Sequence, residues 1–213
     1  MKIVMIGQGG HSKVIYDLVA SQPDHEIIAS LDDKNQVLER KHGQYIGPIF
    51  AFKRMLEMYP EAQFLIAIGN NKVRQLITNR LQLPKNKYVT LIHSTATVSS
   101  TARIGYGSVI MAHAVVQADA RVGNHTIINT NAVIEHDSQV GDYVHISPSS
   151  TLTGNVTVGE GAQVGAGATI IPAIKIGEWS VIGAGATVIH AIPSFSKAVG
   201  VPAMIKKDVK KVQ

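Results

Sequence analysis

The chain has 213 residues, a formal net charge of +5, 45% hydrophobic residues and no cysteine, and only 5% of its residues are aromatic, so any core must be largely aliphatic. The absence of cysteine excludes a disulfide framework, a thiolate nucleophile and a cysteine-ligated metal site. No apolar run approaches the roughly 18 residues that cross a membrane, and the run at residues 3–6 is too short for a signal peptide, so we expect a soluble, cytoplasmic protein.

Residues 1–90 alternate apolar runs with helical patterns, which predicts a small parallel α/β sheet of the Rossmann-like kind. The predicted strands are residues 2–6, 26–31 and 64–68. The predicted helices are residues 49–58, residues 72–81 and a first helix that places Val14, Ile15, Leu18 and Val19 on one face.

Three polar loops follow the predicted strands: Gly9-Gly10-His11, Asp32-Asp33 and Gly69-Asn70-Asn71. Ligands of parallel α/β sheets bind beyond the carboxyl ends of the strands, so the convergence of these loops predicts a ligand site. The glycine-rich loop opens a helix, and a helix N-terminus favours phosphate or another anion. Ser12 stands where a dinucleotide motif has its third glycine, which disfavours a dinucleotide, and a tight turn without a ligand is the alternative.

From residue 98 onwards an aliphatic residue recurs at every sixth position, sixteen times without a gap. These positions are Val98, Ile104, Ile110, Val116, Val122, Ile128, Ile134, Val140, Ile146, Leu152, Val158, Val164, Ile170, Ile176, Ile182 and Val188. A period of six is typical of hexapeptide β-helices, in which the aliphatic side chain points inward. Small residues two positions earlier, such as Ala120 and Ser138, suit tight corners. Glycines often follow the aliphatic residue, as at Gly123 and Gly141, and we expect them to adopt conformations that other residues resist.

The segment after Val188 leaves this pattern and is expected to cap the stack of coils. It contains a basic cluster, Lys206, Lys207, Lys210 and Lys211, which we interpret as a solvated tail. The net positive charge suits polyanionic partners, but no aromatic residues interleave with this cluster, so nucleic acid is not an expected partner. The sequence therefore divides into three expected parts, residues 1–90, 91–190 and 191–213.

Five motifs together resemble one family, and the resemblance covers nearly the whole chain. They are Gly9-Gly10-His11-Ser12, Leu31-Asp32-Asp33, Ala67-Ile68-Gly69-Asn70-Asn71, Val133-Ile134-Glu135-His136 and Val199-Gly200-Val201-Pro202-Ala203. The chain resembles the sugar acyltransferases related to sialic acid O-acetyltransferase, and it is most similar to the UDP-4-amino-sugar N-acetyltransferases of the bacillosamine pathway. The resemblance implies a left-handed β-helix with three hexads to a coil, a homotrimer with active sites between subunits, and acetyl-CoA and a nucleotide sugar as substrates.

The resemblance also implies roles for particular residues. His136 matches the catalytic histidine, and Asp137 stands where close relatives carry a glutamate that raises the basicity of that histidine. The implied acetyl-CoA contacts are His145, Ala166 and Ala184, and the implied nucleotide-sugar contacts are Gly9, Gly10, His11, Asp32, Asp33 and Gly69. Ala166 and Ala184 are eighteen residues apart, so they should stack directly if three hexads make a coil.

The chemistry of the residues agrees with an acyl transfer. Attack of an amine on a thioester needs a general base near neutral pH, and histidine has the intrinsic pKa for it. The run Glu135-His136-Asp137 supplies a histidine and neighbouring carboxylates, and His136 should face outward because it lies two residues after the inward Ile134. His145 should also face outward, and the spacing of His136 and His145 carries no metal signature. His113 and His125 are interpreted as structural or solvent-facing.

We therefore expect an acetyl-CoA-dependent N-acetyltransferase that acts on the 4-amino group of a UDP-4-amino-4,6-dideoxy-N-acetylglucosamine type of sugar by direct attack. Without cysteine, a cysteinyl acyl-enzyme is excluded. O-acetylation of a sugar of the sialic acid type needs the same base, and a GDP- or dTDP-linked acceptor would use the same loops. A non-catalytic β-helix binding protein is the alternative from another functional class.

Overall fold

The computed structural model describes residues 1–208, with side chains as far as Lys206. It forms two compact units, the first from Met1 to Leu91 and the second beginning at Ile92. Lys210 and Lys211 of the basic cluster, and the end of the expected part 191–213, lie outside the described residues. Within residues 1–208, no helix is both long enough and apolar enough to span a membrane.

The first unit is built on a five-stranded sheet, sheet 1, with the strand order β3-β4-β2-β1-β5. The strands are β1 (Lys2–Ile6), β2 (Glu26–Leu31), β3 (Glu39–Lys41), β4 (Gln44–Gly47) and β5 (Gln63–Ile66). All neighbours are parallel except β3 and β4, which form a hairpin. The three predicted strands correspond to β1, β2 and β5, whereas the hairpin was not predicted, because β3 is a short, exposed run of charged residues without an apolar alternation.

Three α-helices cover this sheet: α1 (Gly10–Ala20), α2 (Phe52–Met58) and α3 (Asn71–Leu81). Short 3-10 turns, Ile49–Ala51 and Lys85–Lys87, precede α2 and follow α3. The first helix buries Ile15, Leu18 and Val19 as predicted, but Val14 is 44% exposed, so the buried face is narrower than the apolar pattern indicated.

The second unit is a parallel β-helix, because strands eighteen residues apart pair in register. Sheet 2 contains Thr97–Val98 (β7), Val115–Val116 (β10), Val133–Ile134 (β13), Thr151–Leu152 (β16), Thr169–Ile170 (β19) and Thr187–Val188 (β22). Sheet 3 contains Arg103–Ile104 (β8), Arg121–Val122 (β11), Gln139–Val140 (β14), Thr157–Val158 (β17) and Lys175–Ile176 (β20). Sheet 4 contains Leu91–Ile92 (β6), Val109–Ile110 (β9), Ile127–Ile128 (β12), His145–Ile146 (β15), Gln163–Val164 (β18) and Val181–Ile182 (β21).

The chain leaves the repeat after β22 but stays attached to sheet 4. Strand β23 (Ser196–Val199) pairs in parallel with β21, and β24 (Met204–Asp208) pairs with β23 in the antiparallel sense. The described part of the expected C-terminal cap therefore extends one sheet of the β-helix by two strands.

The interior of the β-helix is the aliphatic stack that the sequence predicted. Every one of the sixteen hexad residues ends a two-residue strand, and all are buried except the first two, Val98 and Ile104, which are half-buried. The small residues two positions earlier are buried as well, except Ala96 and Ala102, which are half-buried. Ser138 satisfies its hydroxyl by donating to the Thr153 carbonyl and accepting from the Val156 N–H. The predicted fold, a Rossmann-like unit followed by a parallel β-helix, is confirmed.

The glycines that follow the aliphatic residues have a different role from the one predicted. Gly123 and Gly141 do not have a positive φ, and a methyl group at either position would lie within 2.8 Å of the backbone of the next coil. The left-handed conformation belongs to the third residue after the aliphatic position, for example His125, Asp137 and Tyr143. Glycine is therefore needed there for the close approach of two coils, while the left-handed corners carry mostly other residues.

Candidate functional site

The carboxyl ends of β1, β2 and β5 bring the three predicted polar loops to one edge of sheet 1. Gly9 is the N-cap of α1, and no side chain caps that helix. A methyl group at Gly9 or Gly10 would meet no atom within 4 Å, so the surface over the first turn of α1 is open. The partial positive charge of a helix N-terminus makes this surface suited to a phosphate group.

Both aspartates of the second loop bind the backbone of their own unit. Asp32 accepts hydrogen bonds from the N–H groups of Gln8 at 2.8 Å and Lys34 at 3.0 Å. Asp33 accepts from the Ile49 N–H at 3.2 Å and forms an ion pair with Arg80. These carboxylates therefore hold the loops of the candidate site in place, and their remaining lone pairs are available to a ligand.

His11 lies beside Gly69 in the same region, because a methyl group at Gly69 would be 3.8 Å from its Cβ. Burial, followed by the positive charge of Arg74, lowers the pKa of His11 to about 4. His11 is therefore neutral near pH 7 and can offer a ligand hydrogen bonds but no positive charge.

The buried cation at this edge is Arg74, whose side chain is 1% exposed. Its guanidinium donates to the carbonyls of Ile68 at 2.8 Å and Gly69 at 3.2 Å, and to the Asn71 side chain at 2.9 Å. Sequence reasoning missed Arg74, although it shares the 3–4-residue spacing of the buried face of α3 with Asn71, Ile77 and Leu81. The hydrogen bonds of Arg74 to the Ile68 and Gly69 carbonyls hold the loop after β5 in place.

In the β-helix, His136 lies in the turn between β13 and β14, and its side chain is 61% exposed, as predicted from its position after Ile134. The shorter carboxylate of Asp137 does reach it, with 2.8 Å between Nδ1 of His136 and Oδ2 of Asp137. The left-handed backbone of Asp137, with φ of 60°, accompanies this short contact between adjacent residues. This hydrogen bond, and secondarily the charges of Asp137 and Glu135, raise the pKa of His136.

The imidazole of His136 also lies against Gly154, one coil further along the chain. A methyl group at Gly154 would be 2.7 Å from both Cε1 and Nε2 of the ring. Sequence reasoning missed Gly154, although a glycine eighteen residues after a candidate base is a visible signal once the coil length is known.

The predicted acetyl-CoA contacts lie on another part of the β-helix. His145 is the outward residue of β15 in sheet 4 and is half-buried, with its Nε2 2.9 Å from the side-chain nitrogen of Asn129. Ala166 and Ala184 occupy the edge between sheets 4 and 2, where the Gly185 N–H donates to the Ala166 carbonyl at 2.8 Å. The two alanines therefore stack directly, as predicted, and His145 shares their side of the coil.

Sheet 2 separates these residues from His136 within one chain. His136 occupies the edge between sheets 2 and 3, whereas Ala166 and Ala184 occupy the edge between sheets 4 and 2. A single β-helix therefore does not bring the candidate base and the candidate acetyl-CoA residues together.

Two shallow cavities lie along sheet 3, with volumes of about 440 Å³ and 280 Å³. Neither is lined by any predicted site residue, so they add nothing to the site. Among residues 1–208, no cluster of three or more histidine, aspartate and glutamate side chains could hold a metal ion.

Two protein families match this chain, one in the Rossmann-like unit and one in the β-helix. Residues 2–81 match the family described as the PglD N-terminal domain, and residues 119–154 and 155–190 match the bacterial transferase hexapeptide family. A perosamine N-acetyltransferase from Caulobacter crescentus, solved with CoA and GDP-perosamine, is 34% identical, with a TM-score of 0.88 and 98% of each chain covered. The chain belongs to the hexapeptide-repeat sugar N-acetyltransferases.

Two further relatives support the assignment to this family. The acetyltransferase domain of PglB from Neisseria gonorrhoeae, solved with acetyl coenzyme A, is 36% identical over 96% of this chain and 98% of that chain, with a TM-score of 0.86. A UDP-N-acetylbacillosamine N-acetyltransferase of Bacillus subtilis (strain 168) is 50% identical over 109 residues, which is 51% of this chain and 50% of that protein. The match thus spans about half the length of this curated relative.

Membership of the hexapeptide-repeat sugar N-acetyltransferases confirms the resemblance that the five motifs indicated. It also confirms, at the level of the family, the predicted acetyltransferase class and the use of acetyl-CoA, since relatives contain CoA or acetyl-CoA.

Proposed function

We propose that the protein transfers an acetyl group from acetyl-CoA to the 4-amino group of a nucleotide-linked amino sugar of the UDP-4-amino-4,6-dideoxy-N-acetylglucosamine type. The observation that carries this proposal is the exposed His136 ring whose Nδ1 contacts the Asp137 carboxylate. With Nδ1–H donating to Asp137, the lone pair of the neutral imidazole is on Nε2, which is the atom that takes up a proton.

The reaction is a direct transfer. The amine nitrogen of the sugar attacks the thioester carbonyl carbon and gives a proton to Nε2 of His136. The C–N bond forms, the C–S bond breaks, and the departing CoA sulfur takes the proton back from His136. Asp137 stabilises the imidazolium while it exists, which agrees with the raised pKa of His136.

The first unit, residues 1–90, is proposed to bind the nucleotide sugar. The open N-terminus of α1 at Gly9 and Gly10 suits the diphosphate, and the adjacent His11, Asp32, Asp33 and Gly69 are proposed to contact the rest of the substrate. The 50% identity with a UDP-N-acetylbacillosamine N-acetyltransferase favours a uridine nucleotide, while a relative with bound GDP-perosamine makes a GDP sugar the nearest competitor.

Residues 91–190 are proposed to bind acetyl-CoA through His145, Ala166 and Ala184, with residues 191–213 as the cap. No metal is needed for this chemistry, because the amine is itself the nucleophile. We place the reaction in the cytoplasm, where acetyl-CoA and nucleotide sugars are made.

A homotrimer would bring together the two edges that one chain keeps apart. Sheet 2, which separates them, presents only uncharged, β-branched outward residues: Thr97, Val115, Val133, Thr151, Thr169 and Thr187. Sheet 3 presents charged residues instead, including Arg103, Arg121 and Lys175. We therefore propose that sheet 2 faces the other subunits, so that the His136 edge of one chain meets the Ala166 and Ala184 edge of the next.

The activity is tested by measuring CoA release from acetyl-CoA with a thiol reagent, to which the cysteine-free chain contributes no background. The acceptors are a UDP-4-amino-4,6-dideoxy sugar, its GDP and dTDP counterparts, and free sialic acid. Release with the UDP-linked amine ahead of the others is the expected result. Release with sialic acid alone would replace N-acetylation by O-acetylation, and no release with any acceptor would favour a non-catalytic binding protein.

The shared site is tested by complementation. Variants His136→Ala and Ala184→Trp should each be inactive. The first lacks the general base, and in the second the indole side chain blocks the edge proposed to bind acetyl-CoA. Co-expressed at equal levels, they should recover about one quarter of wild-type activity, because random mixing leaves that share of interfaces with both edges intact. No recovery in mixed oligomers would place both edges of a site in one subunit and contradict the proposal.

A further inference from the structure

Gly154 leaves room for a neighbouring side chain, and its own backbone conformation does not require glycine. A Cβ built on it would be 2.7 Å from Cε1 and 2.7 Å from Nε2 of His136, closer than real Cβ contacts come. The nearest atoms are Cε1 and Nε2 of the ring, whereas the contact with Asp137 is made by Nδ1. The ring therefore contacts a carboxylate through one nitrogen and lies against a glycine near the other.

The backbone at this corner does not require glycine. Gly154 does not have a positive φ, and hydrogen bonds from Asp137 to Ala118, from Asn155 to His136 and from Ala173 to Gly154 stack this corner coil upon coil. The equivalent positions of the stack are Ser100, Ala118, His136 and Pro172. The same corner thus accepts four other residue types. Glycine occurs at it only in the coil that follows His136, at position 154.

We propose that Gly154 is a positioning residue for His136, whose imidazole can lie over the next coil only because position 154 carries no side chain. In this orientation Nδ1 donates to Asp137 while Nε2 is directed to the acceptor amine. The inference rests on the proposed role of His136 as the base, and it adds a second constraint that holds the base in place.

The exposure of the ring determines what a methyl group at position 154 would do. His136 is 61% exposed, so its side chain can swing outward and relieve the clash. The cost should therefore appear in the orientation of the base and hardly at all in the stability of the fold. A role that is merely structural would give the opposite result.

The decisive variant is Gly154→Ala, with Ala118→Ser as the matched control, since Ser100 shows that serine fits this corner. For Gly154→Ala we expect kcat to fall roughly 10- to 100-fold, as when a catalytic group is displaced by about 1 Å, with little change in KM for acetyl-CoA. The control should keep wild-type kcat. Unfolding in urea, followed by the fluorescence of the single tryptophan, Trp179, should be unchanged in both.

The second readout is the titration of the His136 ring by NMR in the free protein. Loss of the Asp137 contact should lower the midpoint toward that of an ordinary histidine. The ionisable residues at this corner and in the equivalent places of the adjoining coils are Glu135, Asp137 and Asp119, and all three are unchanged in the variant. An unchanged titration together with an unchanged kcat would overturn the proposal.

Failure of the proposed base and failure of this inference can be told apart. If His136→Ala remains fully active, the base is wrong, whereas the NMR titration of Gly154→Ala still reports on the ring. If Gly154→Ala folds poorly, the double variant His136→Ala/Gly154→Ala should regain wild-type stability, because the clash needs both side chains. A double variant that is as unstable as the single one would overturn the proposal.

Discussion

Two histidines at corners of the same β-helix have opposite surroundings. His136 is mostly exposed and contacts the Asp137 carboxylate. His125 is 1% exposed, and its ring is stacked against Tyr143 at 5.4 Å between centroids and meets Tyr106 edge-on at 5.2 Å. A position at a corner of the repeat therefore does not determine whether a histidine side chain is buried or exposed.

Each ring lies against a glycine in an adjacent coil, Gly107 for His125 and Gly154 for His136. A methyl group at Gly107 would be 2.4 Å from Nδ1 of His125. A glycine in the adjacent coil thus makes room for a histidine ring at both corners. The ring is buried and packed at one corner, and exposed and in contact with a carboxylate at the other. Tyrosines one coil away surround the packed ring of His125, whereas the adjacent aspartate contacts the exposed ring of His136.

The largest expected effect is on catalysis at the exposed corner. His136→Ala should lower kcat about 10²- to 10⁴-fold, the range for loss of a general acid or base. Its unfolding free energy should stay close to that of wild type, because an exposed side chain away from the core is removed. Steady-state kinetics and urea unfolding of the same preparation check both statements, and an active variant would remove His136 from the mechanism.

At the buried corner of His125, a substitution should affect stability more than catalysis. His125→Ala should lower the unfolding free energy by about 2–4 kcal/mol, because it removes a ring packed between two tyrosines and leaves a cavity. Kinetic constants should change little where the variant remains folded. Trp179 fluorescence in urea measures the loss in the β-helix.

His113→Ala is the matched control, since His113 has a similar left-handed backbone, with φ of 58°, but is exposed. It should unfold like wild type. Equal losses in the two variants would mean that the backbone conformation of histidine, and not the tyrosine stack, stabilises this corner.

The contrast between these corners shows where prediction from sequence stops. The inward residues could be predicted because a six-residue period repeats one physical requirement sixteen times, and the outward direction of His136 follows from its place after Ile134. The contact of His136 with Gly154 and the stack around His125 could not, because both depend on side chains one coil apart, whose directions the period does not determine.

The first unit shows the same limit. Parallel strands predict that the loops after β1, β2 and β5 meet at one edge, and they do. The sequence did not indicate the burial of Arg74, because a charged residue is ordinarily expected on the surface of a helix. Its hydrogen bonds to the Ile68 and Gly69 carbonyls and to the Asn71 side chain make the burial possible. The β3–β4 hairpin was not predicted because its register depends on a turn at His42 and Gly43 rather than on buried side chains.

The pH dependence gives a sharper test of the exposed corner. Asp137→Asn removes the main cause of the raised pKa of His136, and asparagine tolerates the left-handed backbone. The base must be neutral to act, so the acidic limb of the kcat/KM profile should move to lower pH in the variant. A profile that does not move would mean that the limb reports another group.

The same variant has a consequence for stability. A raised pKa in the folded state stabilises the fold at pH values below the ordinary histidine pKa, and this contribution is lost as the pH rises through the folded pKa. Asp137→Asn should therefore lower Tm more at about pH 5 than at about pH 8. An equal change at both pH values would indicate a loss of packing instead of a loss of the charge interaction.

The smallest effect is expected from Glu135, which raises the pKa of His136 through its charge alone and ranks behind both contributions of Asp137. Glu135→Gln should shift the acidic limb in the same direction as Asp137→Asn but by less, because no hydrogen bond to the ring is lost. High salt should shrink the Glu135→Gln shift, since interactions between exposed charges are screened, and should leave much of the Asp137→Asn shift in place. Parallel pH profiles at low and high ionic strength separate the two contributions. A shift for Glu135→Gln as large as that for Asp137→Asn would mean that net charge, rather than the contact with Asp137, sets the basicity of His136.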